Sequence, residues 1–221
     1  MNKNPRNSRR LAQVLMAVAL MMWMPKVAAQ TFEYPEHDDD EKIAVSFQGS
    51  RPTISDFVTA ILSQSSDRVF CEKAYGDWKR YQQKRPLSRN SSISVDTRNG
   101  YMQYQYVGEE ENDTTVMEMC FWNCADGKRK LVCANANCRL NGEYGTYDHT
   151  GTYFYVYDNK TRIMRTVWPE DIGALYEGDG INVFFLPRRG KDIRVQASGC
   201  GDQWNEVLEW DGYKFTSRIL P

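Results

Sequence analysis

At 221 residues, 41% of them hydrophobic, the chain is long enough to bury one core without help. Its 28 Lys+Arg stand against 29 Asp+Glu, a balance that excludes the strongly basic character selected by nucleic acid or anionic membrane surfaces.

Residues 1–29 have the three parts of a secretory signal peptide. Arg6, Arg9 and Arg10 make a positive start, Leu11 to Met24 is an almost uninterrupted apolar run, and Val27-Ala28-Ala29 offers small residues for cleavage. The run is shorter than the ~20 residues a helix needs to cross a bilayer, so no membrane span is expected after signal cleavage. Cleavage after Ala29 removes five basic residues and no acidic one, leaving 23 basic against 29 acidic residues and a net charge of −6. The expected location is secreted or periplasmic.

Residues 30–50 follow as an acidic leader. Glu36-His37-Asp38-Asp39-Asp40-Glu41 has no periodic apolar positions and predicts a solvated segment. Residues 51–221 are expected to form one α+β domain, with helices within 53–84 and an antiparallel β-meander over 91–221. The first helix, Thr53 to Gln64, places Ile54, Phe57, Val58, Ile61 and Leu62 on one face, with Thr53 or Ser55 as cap. The second, Cys71 to Lys84, has Tyr75, Trp78 and Tyr81 or Gln82 at helical spacing and ends before Pro86.

From Ser91 onward, aromatic and β-branched runs alternate with turn residues. Asn99-Gly100, Asp126-Gly127 and Asp211-Gly212 are favoured hairpin dipeptides because their residues accept positive φ. Two longer loops, Asp158 to Thr161 and Arg188 to Gly190, complete five successive hairpins and hence about ten strands, in a barrel-like or two-layer sheet. Two-residue turns would set Val95 opposite Tyr104, Leu208 opposite Phe215, and Glu209 opposite Lys214.

The same construction at Asp126-Gly127 sets Cys120 opposite Cys133, at a non-hydrogen-bonded position where Cα atoms approach to ~4.5 Å. With an even count of six cysteines in an exported chain, disulfides are expected: Cys120 with Cys133, then Cys124 with Cys138 and Cys71 with Cys200 among three pairings of the remainder. Zinc held by Cys120, Cys124, Cys133 and Cys138 is the competing reading.

Chemistry has few footholds. No serine-nucleophile elbow, phosphate loop or paired-histidine zinc helix is present, so no cofactor or metal is expected. The candidate acid-base cluster is Glu143, Asp148 and His149, in the glycine-rich stretch from Asn141 to Gly151. Glu109-Glu110-Glu111 with Asp113, and Glu170-Asp171, lack a signature spacing. Tyr153, Tyr155 and Tyr157 alternate along one strand and share a face, which suits stacking on a sugar ring or anchoring a protein. The sequons at Asn90, Asn112 and Asn159 all fall in turns or loops.

Met117 to Asn123 before Asp126-Gly127-Lys128, and Leu186 to Ile193 leading to Leu208 to Phe215, resemble the uncharacterised secreted β-rich proteins common in Bacteroidales. The resemblance spans about half of the chain after residue 29 and implies an envelope or extracellular setting, with no activity attached. The leading expectation is a non-catalytic binding module for a glycan or an envelope or extracellular protein. A secreted hydrolase with its site in the 141–151 loop is the second, and a structural component of a surface assembly the third.

Overall fold

A computed structural model describes residues 32–66, 72–108, 113–140, 143–145, 150–174, 181–198 and 204–220. The described elements are β1 (Lys42–Ala44), α1 (Ile54–Gln64), α2 (Glu72–Gln82), β2 (Ser91–Asp96), β3 (Tyr101–Val107), β4 (Thr114–Asn123), β5 (Arg129–Leu140), β6 (Glu143–Gly145), β7 (Gly151–Asp158), β8 (Ile163–Val167), a short 3-10 turn (Pro169–Ile172), β9 (Ile181–Phe185), β10 (Ile193–Ser198), β11 (Trp204–Trp210) and β12 (Phe215–Ile219). The α+β class and the two helices are as expected. The strands number twelve among the described residues and divide between two sheets rather than closing as a barrel.

The first sheet has the order β1-β8-β7-β5-β4-β3-β2, with β6 pairing the far end of β5. The second has the order β12-β11-β10-β9, and every pairing is antiparallel. The first sheet is covered on both faces. On one, Met102, Met119, Val132, Tyr155 and Met164 pack against Phe57, Val58 and Ile61 of α1 and Trp78 of α2. On the other, Trp122 meets Trp210 and Phe215 at 6.1 and 5.5 Å between ring centroids, and Phe154 meets Phe215 at 6.0 Å. Polar ties bind the sheets as well: Asn135 and Asn137 each donate from Nδ2 to the Phe184 carbonyl at 2.8 Å.

Why these segments fold locally is visible in their turns. Asp96, Asp126, Asp158 and Asp211 each turn a carboxylate back onto the backbone N–H of Asn99, Lys128, Lys160 and Tyr213, at 3.1, 2.8, 2.8 and 2.7 Å. This self-bonding favours a turn over continued strand. At the start of α1, the Thr53 N–H donates to Asp56 Oδ2 at 2.7 Å, occupying one of the helix's free amides. In α2 the buried positions are Ala74, Asp77 and Trp78, while Tyr81 is exposed and stacks on Trp78.

The Asp126-Gly127 turn has the expected register. The other two dipeptides do not sit at the centre of their turns. Val95 pairs with Met102 and Ile93 with Tyr104, so the first turn centres on Arg98-Asn99. Trp210 pairs with Phe215, so the last centres on Gly212-Tyr213, and Glu209 forms its ion pair with Arg218 at 2.7 Å instead of meeting Lys214. Each shift moves the register by two residues, which preserves every side chain's face.

The acidic leader keeps Glu36, His37, Asp38 and Asp39 exposed, as expected of a solvated segment, but it is docked rather than free. Everything from Glu33 onward belongs to one compact unit, Tyr34 is buried with its hydroxyl donating to the Tyr213 carbonyl at 2.7 Å, and Lys42–Ala44 adds β1 to the edge at β8. Arg165 holds the segment by donating to the Pro35 carbonyl and Asp40 Oδ2 at 2.7 and 3.0 Å.

Candidate functional site

Tyr153, Tyr155 and Tyr157 share a face of β7, but that face looks inward. Tyr155 and Tyr157 are 0% exposed, and Tyr157 meets Phe57 of α1 edge-on at 5.1 Å. Their ring faces are closed to stacking by a sugar or a protein, because α1 lays its apolar face across them. Phe154 and Val156, on the opposite face, are buried as well, Phe154 against Phe215 of the second sheet.

Tyr153 differs because it stands near the start of β7, where it is only partly buried. Phe154 is the last β7 residue paired with β8, opposite Val167, and one step further the same register carries Trp168 across from Tyr153. Trp168 is a large exposed aromatic at 42%, turned out where Pro169 begins the 3-10 turn. Both border a cleft of about 250 Å³, whose remaining walls include Thr152, Thr166, Asp39 and Glu41.

The leader supplies the acidic wall and is fixed in place there. Glu41 accepts from the Ser65 hydroxyl at 2.9 Å and the Ser66 N–H at 2.6 Å, both just past the end of α1. Its own N–H donates to Thr166 Oγ1 at 3.0 Å. His37 meets Asp171 Oδ2 through Nε2 at 2.8 Å and sets its ring edge-on to Trp168 at 5.8 Å. That hydrogen bond raises the His37 pKa above its ordinary value, against the opposing effect of desolvation, with the charges of Asp171, Asp40 and Asp39 also raising it. Cleft and leader are thus one construction.

No protein-family model, curated protein or solved structure matches this chain. The site is accordingly read from its own chemistry. Among the described residues that border the cleft there is no histidine or cysteine. What the cleft presents is one aromatic face beside another, with hydroxyl and carboxylate acceptors around them. This suits a ligand with both apolar faces and hydroxyl edges.

Of the expected acid-base cluster, only Glu143 falls within the described residues. Glu143 is exposed on β6, whereas Asp148 and His149 lie outside the described residues, as do Glu109, Glu110 and Glu111. Asp171 is engaged by His37, and Glu170 is exposed. Trp168, Asp39 and Glu41 escaped the sequence reading. The Trp168-Pro169 step after a β-branched strand was the available signal for the first; nothing local marks the other two.

Cys120 does lie directly opposite Cys133, but both are free thiols, as are Cys124 and Cys138. The Cys124 N–H bonds the Arg129 carbonyl at 3.0 Å. That bond makes Cys124 with Arg129 a hydrogen-bonded pair, and the alternation of the ladder makes Cys120 with Cys133 another. The expectation of a non-hydrogen-bonded site is therefore corrected. At such a pair the Cβ atoms stand toward ~5.5 Å, wider than the ~3.5–4.5 Å of a disulfide. Cys124 sits at the Asp126 turn and Cys138 opposite Thr115 at the other end of the same ladder, so neither a disulfide between them nor a four-cysteine zinc site is gathered. Cys71 and Cys200 lie outside the described residues.

Proposed function

We propose that this chain is an exported, non-catalytic binding protein whose cleft between Tyr153 and Trp168 takes a glycan. The observation that carries the reading is Trp168, exposed beside Tyr153 within a small cleft edged by Thr152, Thr166, Asp39 and Glu41. A sugar ring offers an apolar face to an aromatic and hydroxyls to such acceptors. The cleft volume favours a small ligand over a folded protein, whose stable interfaces bury ~800 Å² on each partner. The signal-like residues 1–29 support an extracytoplasmic setting, where glycans are met, and the resemblance to secreted Bacteroidales proteins points the same way.

Titration calorimetry against a panel of neutral and acidic oligosaccharides tests this reading. At least one should bind saturably, and Trp168→Ala should weaken it about thirtyfold, the scale of losing an aromatic hot spot. Trp168 is exposed, so the variant keeps its fold. A flat response across the panel, or equal affinity in the variant, would overturn the proposal.

A further inference from the structure

The opposite end of the same sheet face has a different chemistry. The register sets Asn123, Lys130 and Tyr157 side by side across β4, β5 and β7, about 13 Å along the strand from Tyr153. All three border a cavity of about 370 Å³, which Arg51, from the segment ahead of α1, also lines.

Two of these groups are anomalous for a core. Lys130 is only 8% exposed. Its ammonium donates to Asn123 Oδ1 and lies 4.8 Å from the Phe121 ring, but no ion pair joins it to a carboxylate among the described residues. Burial, then the neighbouring Arg51, pushes its pKa below the ordinary lysine range. Buried charges are ordinarily paired. Tyr157, at 0% exposure, has its hydroxyl buried with no hydrogen-bond partner among the described residues, again a costly arrangement. The nearby carboxylates are already used by the backbone: Asp56 by the Thr53 N–H, Asp158 by the N–H groups of Lys160 and Thr161. Arg129, also on the rim, is bonded to Asp126 at 2.6 Å.

We propose that Lys130, Arg51 and the Tyr157 hydroxyl form a binding site for a tetrahedral oxyanion, a phosphate or sulfate. Such a group supplies in one ligand the missing countercharge and the missing acceptor. The ammonium and guanidinium are charge-assisted donors to its oxygens, and the phenol adds a neutral one. The site is separate from the Tyr153–Trp168 cleft and stands or falls independently of it.

The test is calorimetric titration of the full chain with inorganic phosphate and inorganic sulfate, against chloride at matched ionic strength. One saturable site is expected. Arg51→Ala, a change at an exposed position, should weaken binding about tenfold or more. Tyr157→Phe supplies the discriminating readout. It should weaken binding several-fold while leaving the anion-free protein as stable as wild type or more so, because it removes an unsatisfied hydroxyl. A merely structural tyrosine would lose stability and leave affinity unchanged. A third arm uses glucose 6-sulfate and glucose 6-phosphate: tighter binding than the inorganic ion assigns the site to an anionic group carried on a sugar, and equal binding to the free ion. No saturable site for either inorganic anion, or unchanged affinity in both variants, overturns the proposal.

Discussion

His37 Nε2 lies 2.8 Å from Asp171 Oδ2, and this contact pins the acidic leader to the turn behind Trp168. The Asp171 hydrogen bond raises the histidine's pKa above the ordinary 6.5. The folded form therefore holds its proton more tightly than the unfolded form, and the contribution to docking is complete below pH 6.5 and lost as pH rises through the folded value. NMR titration of the ring should find His37 above 6.5 in wild type and moved back toward it in Asp171→Asn. A wild-type value at or below 6.5 would contradict the latch.

Glu118 lies between the two sheets, accepting from the Tyr101 hydroxyl at 2.5 Å and from the Leu186 N–H at 3.2 Å. Burial raises its pKa above the ordinary 4.5, although bonds from Tyr101, Leu186 and Asn135 act the other way. Because the native state keeps a proton that the unfolded chain has lost, stability should decline as pH rises from 4.5 through the raised value. Glu118→Gln should flatten that slope. Glu118→Ala should cost about 2–3 kcal/mol by stranding its two donors, as measured by urea unfolding.

Two glycines with nearly equal φ should respond unequally to alanine. Gly127 and Gly173 have φ of +67° and +64°, but a Cβ on Gly127 meets open space, whereas one on Gly173 falls 2.4 Å from the Phe215 carbonyl oxygen. Gly127→Ala should cost about 1 kcal/mol, the left-handed strain alone. Gly173→Ala should cost about 3 kcal/mol, because strain and overpacking combine. Denaturant midpoints of the two variants check the difference.

Cys120 and Cys133 are fully buried, and burial pushes both thiols well above the ordinary 9.0, with the neighbouring Cys133 and Glu118 reinforcing it at Cys120. Since the thiolate is the reactive form, iodoacetamide at pH 8 should leave both unlabelled in the native protein and label both in urea. Peptide mass mapping reads the result. Native labelling, or a bond between the two, would contradict the hydrogen-bonded pairing.

The turn dipeptides show how much of the fold is local. Asn99-Gly100 and Asp211-Gly212 locate their hairpins but misplace the turn centres, because Asp96 and Asp211 bond the turn backbone and select where it closes. A two-residue slip leaves side-chain faces intact, so Met102, Tyr104, Leu208 and Phe215 still point where alternation sends them. The cysteines were less forgiving. The register brought Cys120 opposite Cys133, but whether that pair exchanges hydrogen bonds depends on the turn's bonding at Cys124 and Arg129.

By itself, then, the sequence determined two helices, the order of hairpins and which side chains of a strand share a face, because these follow from periodicity and turn chemistry within a few residues. Only the tertiary structure decided what covers those faces. It set a second sheet on Trp122 and Phe154, laid α1 over Tyr155 and Tyr157, and docked the leader so that Asp39 and Glu41 face Tyr153 and Trp168. Arg51 and Lys130, 79 positions apart in the chain, come to border one cavity in the same way. Such meetings between distant residues come from packing apolar faces together, and a local pattern carries no record of the partner.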